Sequence, residues 1–271
     1  MNIGLIGAEN SHTINFCKAI NSEKRYPGYT ITHVYGADSP AACAKLIENY
    51  GLAECASEEE IIGLCDALVV TYRRGSQHYP AVMKTLAAGK PVFNDKPFTT
   101  DVGQAKEIAD YAAEHNILLC GGSTVKSLPG LDAFAEKIKP GAAVTVSYRA
   151  DPDSEYDGFW FYGIHSVEAC VKLLGFDYKS VSACRSGGSV IASINYGDVK
   201  CVVVTTTDAE GPYVSVMNGD ASETIKIPDT DEPTAPNEFI EMLKTGKPPL
   251  DYSFYVGATK LAAEIIEAAG I

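Results

Sequence analysis

Positive charge is scarce in this sequence. Its 271 residues include 22 lysines and arginines against 35 aspartates and glutamates, which gives a formal net charge of −13 at pH 7. So acidic a chain is a poor match for nucleic acid or an anionic membrane, both of which attract clustered positive charge. We therefore expect neither partner. An anionic ligand would need help from backbone N–H groups or from particular basic side chains.

Long hydrophobic runs and paired cysteines are also missing. No apolar stretch approaches the ~20 residues of a membrane span, and neither a basic leader segment nor a cleavage site follows Met1. The eight cysteines include no C-x-x-C pair and no spacing typical of metal ligands. These absences predict a cytoplasmic protein with reduced cysteines and no metal site.

Short apolar runs alternate with helical patterns through the first part of the chain. The predicted strands are 2–6, 29–37, 65–72, 90–95 and 117–122. Strands separated by helices form parallel β-α-β units, because a parallel strand can be reached only by a crossover connection. The pattern predicts a doubly wound parallel sheet, the Rossmann arrangement, over residues 1–122.

The pattern changes after about residue 123. Short turns containing Gly or Asp join predicted strands at 142–150, 180–187, 189–197, 199–207, 212–219 and 222–228. Such turns are typical of antiparallel pairs. A helical pattern at 166–175 interrupts the strands, and two more helices close the chain. The sequence therefore predicts an α/β Rossmann domain followed by an α+β domain over 123–271, with a mainly antiparallel open sheet and C-terminal helices.

Ligands of doubly wound sheets bind at the carboxyl ends of the strands. The residues predicted at those ends are Gly7–His12, Asp38, Thr71–Arg74 and Asp95–Pro97. The first of these segments, "GAENSH", contains only one of the three glycines of a dinucleotide-binding turn. Gly7 is present, whereas Glu9 and His12 stand where the other two glycines would be.

The altered turn still offers groups that could bind a phosphate. Gly7 keeps the tight turn, and Asn10 and Ser11 can cap the following helix, whose N–H groups point toward a phosphate. A carboxylate repels the pyrophosphate of a dinucleotide, so Glu9 must turn away or the cofactor must sit higher. His12 must face the ligand or displace the helix outward.

Several segments resemble the glucose–fructose oxidoreductase / inositol dehydrogenase / MocA (Gfo/Idh/MocA) family. The most specific is "VFNDKPF" (92–98), which is similar to the family's strand-ending Glu-Lys-Pro motif with Asp95 in place of Glu. His78 matches a histidine that follows the third strand, and "YGIHSVEACVKLLG" (162–175) resembles the stretch that carries the catalytic histidine. The resemblance implies a small-molecule oxidoreductase that uses NAD and forms homodimers or homotetramers through its C-terminal sheet.

Lys96 is the first candidate catalytic residue. Its ammonium could hydrogen-bond a substrate hydroxyl or carbonyl and stabilise the alkoxide, and Asp95 would keep that ammonium charged and fixed. The family implies a cis bond before Pro97. The alternative is a solvated Lys-Pro turn after an edge strand.

His165 is the second candidate catalytic residue. An imidazole titrates near neutrality, so it could take up and return the hydroxyl proton. In the family an aspartate usually precedes this histidine by four residues, whereas here that position is Phe161. A helix that starts at His165 would place Glu168 on the same face, where it could bind substrate and orient the imidazole. The alternative is a histidine at a helix start, capped by its neighbours.

The other cofactor candidates lie after the second and third predicted strands. Asp38 would accept hydrogen bonds from the ribose hydroxyls and repel a 2′-phosphate, which favours NAD over NADP, or it could serve only as a helix N-cap. Arg73 could bind a pyrophosphate or be simply solvated. The predicted cofactor site also includes Thr71 and His78, together with Asp95, Lys96 and Pro97.

The segment 151–163 is acidic and aromatic. In front of His165 it could form a flap whose Tyr162 and Trp160 stack on a sugar-like ring, or it could be an ordinary aromatic-packed loop. The leading hypothesis is hydride transfer between NAD and a secondary alcohol or carbonyl of a sugar, polyol or related metabolite. The alternatives are an NAD-assisted lyase or glycosidase of the same family and a non-catalytic nucleotide-binding homologue.

Overall fold

A computed structural model describes residues 1–128, 130–208, 213–226 and 233–271. Two predicted strand ends, Pro212 and 227–228, lie outside the described residues. The strands are β1 (Asn2–Ile6), β2 (Thr30–Tyr35), β3 (Ala53–Glu54), β4 (Ala67–Val70), β5 (Val92–Asp95), β6 (Leu119–Gly122), β7 (Ala143–Arg149), β8 (Ser180–Ser186), β9 (Ser189–Asn195), β10 (Lys200–Thr206), β11 (Tyr213–Asn218) and β12 (Ala221–Lys226).

The α-helices alternate with the strands in the first half of the chain and are sparser afterwards. They are α1 (Ser11–Cys17), α2 (Pro40–Tyr50), α3 (Glu58–Leu64), α4 (His78–Ala87), α5 (Val102–Glu114), α6 (Leu131–Ala135), α7 (Trp160–Leu174), α8 (Thr234–Thr245) and α9 (Ser253–Ala269). A π-helical turn at Lys18–Ser22 continues α1. Within the described ranges no helix combines the length and the apolar character needed to cross a membrane.

The chain divides into two compact units. Among the described residues the first comprises 1–99, 103–122 and 233–252, and the second comprises 100–102, 123–226 and 253–271. The domain boundary that the sequence places near residue 122 stays a prediction. Helix α8 belongs to the first unit, whereas the sequence-based division assigned both closing helices to the second domain.

The first unit is built on a parallel sheet with strand order β3-β2-β1-β4-β5-β6. The order reverses between β1 and β4, and the carboxyl ends of the strands at such a reversal are where sheets of this kind bind ligands. The predicted doubly wound fold is confirmed. The two-residue strand β3 was not predicted, because so short a strand carries no periodicity.

Local sequence signals fix the ends of the helices in this unit. Gly51 ends α2 in the left-handed conformation at φ 67°, which glycine adopts without steric cost. Ser57 caps α3 by accepting the Glu60 N–H, and the Glu60 carboxylate reaches back to the N–H of Ala56. The two bonds form a reciprocal cap similar to a capping box, which satisfies backbone N–H groups at the start of α3.

Three phenylalanine rings explain why α8 belongs to the first unit. Phe16 of α1, Phe93 of β5 and Phe239 of α8 are all buried and meet edge to face, with centroids 5.1–6.1 Å apart. Burial of such rings is a major stabilising contribution in a protein core. The sequence-based division placed α8 within the second domain, but its apolar face packs on the first sheet.

The second unit contains a mixed sheet with strand order β12-β11-β7-β10-β9-β8. All neighbouring pairs are antiparallel except β7 and β10, which run parallel. The predicted, mainly antiparallel sheet is therefore confirmed, with one parallel pair at its centre. Helix α7 packs against β7 and β10, and it starts six residues earlier than the predicted helix at 166–175.

Candidate functional site

The loop after β1 makes a turn that only glycine fits. Gly7 has φ 100°, and a Cβ there would lie 2.8 Å from the backbone nitrogen of Tyr72 and 2.9 Å from the carbonyl carbon of Thr71. Its N–H donates to the Tyr35 carbonyl at 2.9 Å. The loops after β1 and β4 therefore approach each other closely at the point where the strand order reverses.

We expect Gly7→Ala to lower the free energy of unfolding by about 1–3 kcal/mol, because it adds both backbone strain and a close contact. Gly28→Ala is the matched control, since Gly28 has a similar φ of 91° but open space around a Cβ. Urea unfolding of both variants measures the difference. An equal loss for the two would show that the contact with the β4 loop does not matter.

Asp38 ties the altered turn to the end of β2. Its Oδ1 accepts the Ala8 N–H at 2.9 Å, and its Oδ2 accepts the N–H of Glu9 at 3.0 Å. The N-cap of α2 is Ser39 rather than Asp38, so the capping alternative for Asp38 is wrong. The carboxylate instead holds the turn through two of its backbone amides.

Glu9 and Arg73 pair with each other. The Glu9 Oε1 lies 3.3 Å from Arg73 Nη1, and both side chains are about one-third exposed. The ion pair directs the Glu9 carboxylate toward a cation, and the Arg73 guanidinium is already engaged by a carboxylate. Arg73 is therefore more than a solvated charge, and its predicted contact with a pyrophosphate stays a prediction.

His12 faces Asp95 across the edge of the sheet. Its Nδ1 lies 2.8 Å from Asp95 Oδ1, while Asn10 Nδ2 donates to Asp95 Oδ2, also at 2.8 Å. Asn10 is the N-cap of α1 and accepts the His12 N–H at 3.0 Å, as the sequence predicts for a capping residue. Ser11 is the exposed first residue of that helix. Both oxygens of the buried Asp95 thus bond residues of the altered turn.

The environment of Asp95 keeps it ionised. Burial raises its pKa. The charge and hydrogen bond of His12 act in the opposite direction, as does the charge of Lys96, and the resulting pKa of Asp95 is about 2. The carboxylate is fully buried, so it stabilises the folded protein only while these neighbours offset its lost hydration.

Lys96 follows directly and is only 3% exposed. Burial lowers the pKa of Lys96 to about 8, although Asp95 acts to raise it, and the Arg73 guanidinium lowers it further. The Lys96–Pro97 bond is cis. A lysine that titrates near neutrality at the carboxyl end of a central strand can act as a proton donor, and its burial contradicts the alternative of a solvated turn.

Thr71 and His78 support the same loops from within the core. The Thr71 hydroxyl lies 2.9 Å from that of Thr13 and donates to the Gly7 carbonyl at 3.2 Å. His78 is fully buried, with its Nε2 2.8 Å from the Tyr72 carbonyl, and burial lowers its pKa. We interpret both as residues that fix the loop after β4, and direct contact with a cofactor stays a prediction.

His165 lies in the second unit, six residues into α7 and 4% exposed. The predicted helix start at His165 is wrong, because Trp160, Phe161 and Ile164 extend the apolar helical pattern toward the N-terminus. The Nδ1 of His165 is 2.6 Å from Ser123 Oγ. Glu168, one turn further along, accepts the Ser123 backbone N–H at 2.9 Å, so Ser123 links the two predicted site residues.

Tyr162 and Trp160 sit on α7 rather than in a flap. The Tyr162 ring lies 5.5 Å from the His165 ring and 5.1 Å from the Arg149 guanidinium. Gly163 makes room for the Phe159 ring, which a Cβ would meet at 2.6 Å. The acidic turn before the helix therefore ends at residue 159, and the helix carries the aromatic residues proposed to bind substrate.

Sequence reasoning missed Ser123 and Lys126. Ser123 comes directly after β6, and Lys126 donates from Nζ to its carbonyl at 3.2 Å while only 3% exposed. The rule that singled out the residues after β1, β2, β4 and β5 also applies to β6. Extending it by one strand would have identified Ser123.

The described residues fit a dinucleotide better than a metal ion. No group of three or more histidines, cysteines, aspartates or glutamates in the part of the chain that the structure describes is arranged as metal ligands. In contrast, the turn after β1 lies closely against the loop after β4 at Gly7, and the two side chains that stand in the other glycine positions are each paired, Glu9 with Arg73 and His12 with Asp95. The turn therefore remains compatible with a nucleotide at the point where the strand order reverses.

Comparisons with known proteins agree with this geometry. Residues 1–122 match the GFO_IDH_MocA family model, described as an oxidoreductase family with an NAD-binding Rossmann fold. An uncharacterized oxidoreductase YhhX of Escherichia coli (strain K12) is 26% identical over 166 residues, which cover 51% of this chain and 46% of that protein. The chain thus matches about half the length of this curated relative.

Solved structures share the fold over the whole chain. GenD2 from gentamicin A biosynthesis, in complex with NAD, has a TM-score of 0.81 at 16% identity, covering 100% of this chain and 93% of that one. A scyllo-inositol dehydrogenase from Lactobacillus casei has a TM-score of 0.82 at 13% identity, with coverage of 100% and 96%. A biliverdin reductase from Synechocystis sp. PCC 6803, in complex with biliverdin and NADP+, has a TM-score of 0.75 at 14% identity. The match covers 100% of this chain and 99% of that one.

Proposed function

We propose that the chain, whose residues 1–122 match the model of an oxidoreductase family with an NAD-binding Rossmann fold, is an NAD-dependent dehydrogenase. Its substrate would be a secondary alcohol or carbonyl of a sugar, polyol or related small metabolite. The observation that carries the proposal is Lys96, a buried lysine whose pKa is lowered to about 8, directly after a central strand of the sheet.

The residues that would hold the cofactor are those around the reversal of strand order. They are Gly7, Glu9, Asn10, Ser11, His12, Asp38, Thr71, Arg73, His78, Asp95, Lys96 and Pro97. Asp38 is the basis for proposing NAD rather than NADP, because a carboxylate at the end of β2 repels a 2′-phosphate. When bound, the nicotinamide supplies the carbon that gives or receives a hydride.

Lys96 and His165 would act on the substrate oxygen. The Lys96 ammonium stabilises negative charge on that oxygen and lowers the barrier electrostatically. His165 exchanges a proton with it, and Tyr162, Trp160 and Glu168 would bind the substrate. Lys96 lies in the first unit and His165 in the second. The scyllo-inositol dehydrogenase named above supports a polyol among the substrates to be tested.

Binding of NAD is the first experiment, because the proposal depends on it. We expect mass spectrometry to find NAD(H) bound to the purified protein. We also expect NAD at 100 times its Kd to raise the Tm by about 5 °C or more, since binding to the folded state alone stabilises it. A smaller shift with NADP would support the role of Asp38. Absence of both nucleotide and stabilisation would contradict the proposal and favour a non-catalytic homologue.

The second sheet is the proposed assembly surface. Ile191 of β9 and Met217 of β11 are 40% and 51% exposed, so their apolar surface is available for burial between copies of the chain. We propose that homodimers or homotetramers cover this sheet, as the family resemblance implies. The cytoplasmic location stays a prediction from the sequence.

A further inference from the structure

Ser123 is the residue through which the second unit holds His165. The Ser123 Oγ and the His165 Nδ1 are 2.6 Å apart, and exposure is 0% for Ser123 and 4% for His165. The aspartate that precedes the catalytic histidine in similar sequences is replaced here by Phe161. In this chain the group in hydrogen-bond contact with the imidazole Nδ1 is the neutral hydroxyl of Ser123.

Three further hydrogen bonds fix Ser123 in place. Its N–H donates to Glu168 Oε2 at 2.9 Å, its carbonyl accepts from Lys126 Nζ at 3.2 Å, and its Oγ accepts the Val125 N–H at 3.1 Å. The serine is thus held at its nitrogen, its carbonyl and its hydroxyl. A hydroxyl so constrained can impose one hydrogen-bonding arrangement on the imidazole.

The bond from Val125 decides which way the hydroxyl hydrogen points. A serine hydroxyl has one hydrogen to donate and two lone pairs, and Val125 occupies one lone pair. If His165 donated from Nδ1 into the other, the hydroxyl hydrogen would need its own acceptor. Within the described ranges, Ser123 Oγ contacts only Val125 and His165. A buried hydroxyl hydrogen without an acceptor is unfavourable, so the hydroxyl donates to a bare Nδ1.

We propose that Ser123 is a positioning residue that holds neutral His165 in the tautomer with its proton on Nε2. Which nitrogen of a histidine carries the proton is set by the hydrogen bond that the other nitrogen makes. Neutral His165 then presents an N–H at Nε2 and is a hydrogen-bond donor there, so it cannot act as a base at that atom.

The consequence for catalysis rests on the proposed dehydrogenase function. A donor at Nε2 suits a substrate carbonyl, whose oxygen accepts a hydrogen bond and gains negative charge during reduction. Taking up an alcohol proton, the role proposed for His165 above, requires a bare Nε2, so for that step the ring must first change tautomer and the Ser123 hydroxyl must turn. Neutral His165 is therefore arranged to donate a hydrogen bond to a carbonyl oxygen rather than to take up a proton from an alcohol.

The tautomer can be measured without cofactor or substrate. In protein labelled with 15N at the histidine rings, the bare and protonated nitrogens of a neutral imidazole resonate far apart, and His165→Gln identifies the resonances of His165. We expect a bare Nδ1 and a protonated Nε2, favoured about tenfold by the hydrogen bond. A protonated Nδ1 in the wild-type protein would overturn the proposal.

Variants test whether Ser123 is the cause. Ser123→Ala should abolish the roughly tenfold preference for the Nε2-protonated tautomer and give a mixture of the two tautomers. Ser123→Thr should restore that preference because threonine keeps the hydroxyl. Ser182→Ala, at an exposed serine of β8, should leave the spectrum unchanged. An unaltered tautomer in folded Ser123→Ala would also overturn the proposal, and if that variant does not fold, the wild-type spectrum still decides.

Failure of this inference can be distinguished from failure of the proposed function. The tautomer is measured on the protein alone, whereas the dehydrogenase proposal depends on NAD binding and turnover. A protein that binds NAD and shows a protonated Nδ1 contradicts only the inference about Ser123. A protein with the expected tautomer that binds no NAD contradicts only the proposed function.

Discussion

Lys96→Ala is expected to lower turnover at least ~100-fold while leaving the affinity for NAD largely unchanged. The variant removes the ammonium that stabilises charge on the substrate oxygen, a contribution made mainly in the transition state and thus visible in kcat. The steady-state rate of carbonyl reduction and the Kd for NAD together separate this role from a structural one. Unchanged turnover would exclude Lys96 as a catalytic residue.

Two variants serve as controls for this loss. Lys96→Met keeps most of the side-chain volume without the charge, so it should be as inactive as the alanine variant. Lys90→Ala removes a partly exposed lysine just before β5 and should leave turnover unchanged.

The pH dependence of turnover provides a separate readout of Lys96. Because the pKa of Lys96 is lowered to about 8, the rate of carbonyl reduction should fall as the pH rises through about 8.

Asp95→Asn is expected to lower the free energy of unfolding by about 3 kcal/mol at neutral pH. Asparagine has nearly the same shape but no charge, so it resembles the protonated aspartate. The pKa of Asp95 in the folded protein is about 2, and an unfolded aspartate titrates near 4. Each unit of difference corresponds to about 1.4 kcal/mol of stability when the group is ionised.

The effect of Asp95→Asn must depend on pH in a definite direction. The folded pKa lies below the unfolded one, so the contribution of Asp95 is complete above pH ~4 and is lost as the pH falls through about 2. Urea unfolding of the two proteins from pH 7 downward should show the gap closing. Asp66→Asn, at an exposed carboxylate that accepts the Asn2 N–H, is the control. A gap that does not change with pH would show that the lost stability is not electrostatic.

The strands of the first sheet were predictable because their signals are local. Each is a short apolar run that ends near Gly, Pro or Asp, and all five predicted strands occur in the structure with ends shifted by no more than two residues. The start of α7 was not predictable in this way. Asp157, Gly158 and Gly163 are residue types typical of turns, and only the close packing of the Phe159 ring, which a Cβ at Gly163 would meet at 2.6 Å, explains that glycine within a helix.

The partners of the site residues required the folded structure. The rule that ligands bind at the carboxyl ends of the strands placed His12 and Asp95 at the same end of the sheet. It could not show that two residues separated by 83 positions in the sequence bond each other. Glu9 was expected to turn away from a phosphate because of its charge. Its pairing with Arg73 depends on how close the loops after β1 and β4 approach, which no sequence pattern records.

The inclusion of α8 in the first unit has a consequence for synthesis on the ribosome. The chain through β6 carries Phe16 and Phe93, but Phe239 reaches them only after residues 123–233 have been made. At about 5–20 residues per second, this interval is on the order of 10 s. A nascent chain therefore exposes an apolar face of its parallel sheet for that time. Chaperones that bind nascent chains at the ribosome have a defined surface to cover. A fragment ending at residue 122 would keep that face exposed permanently.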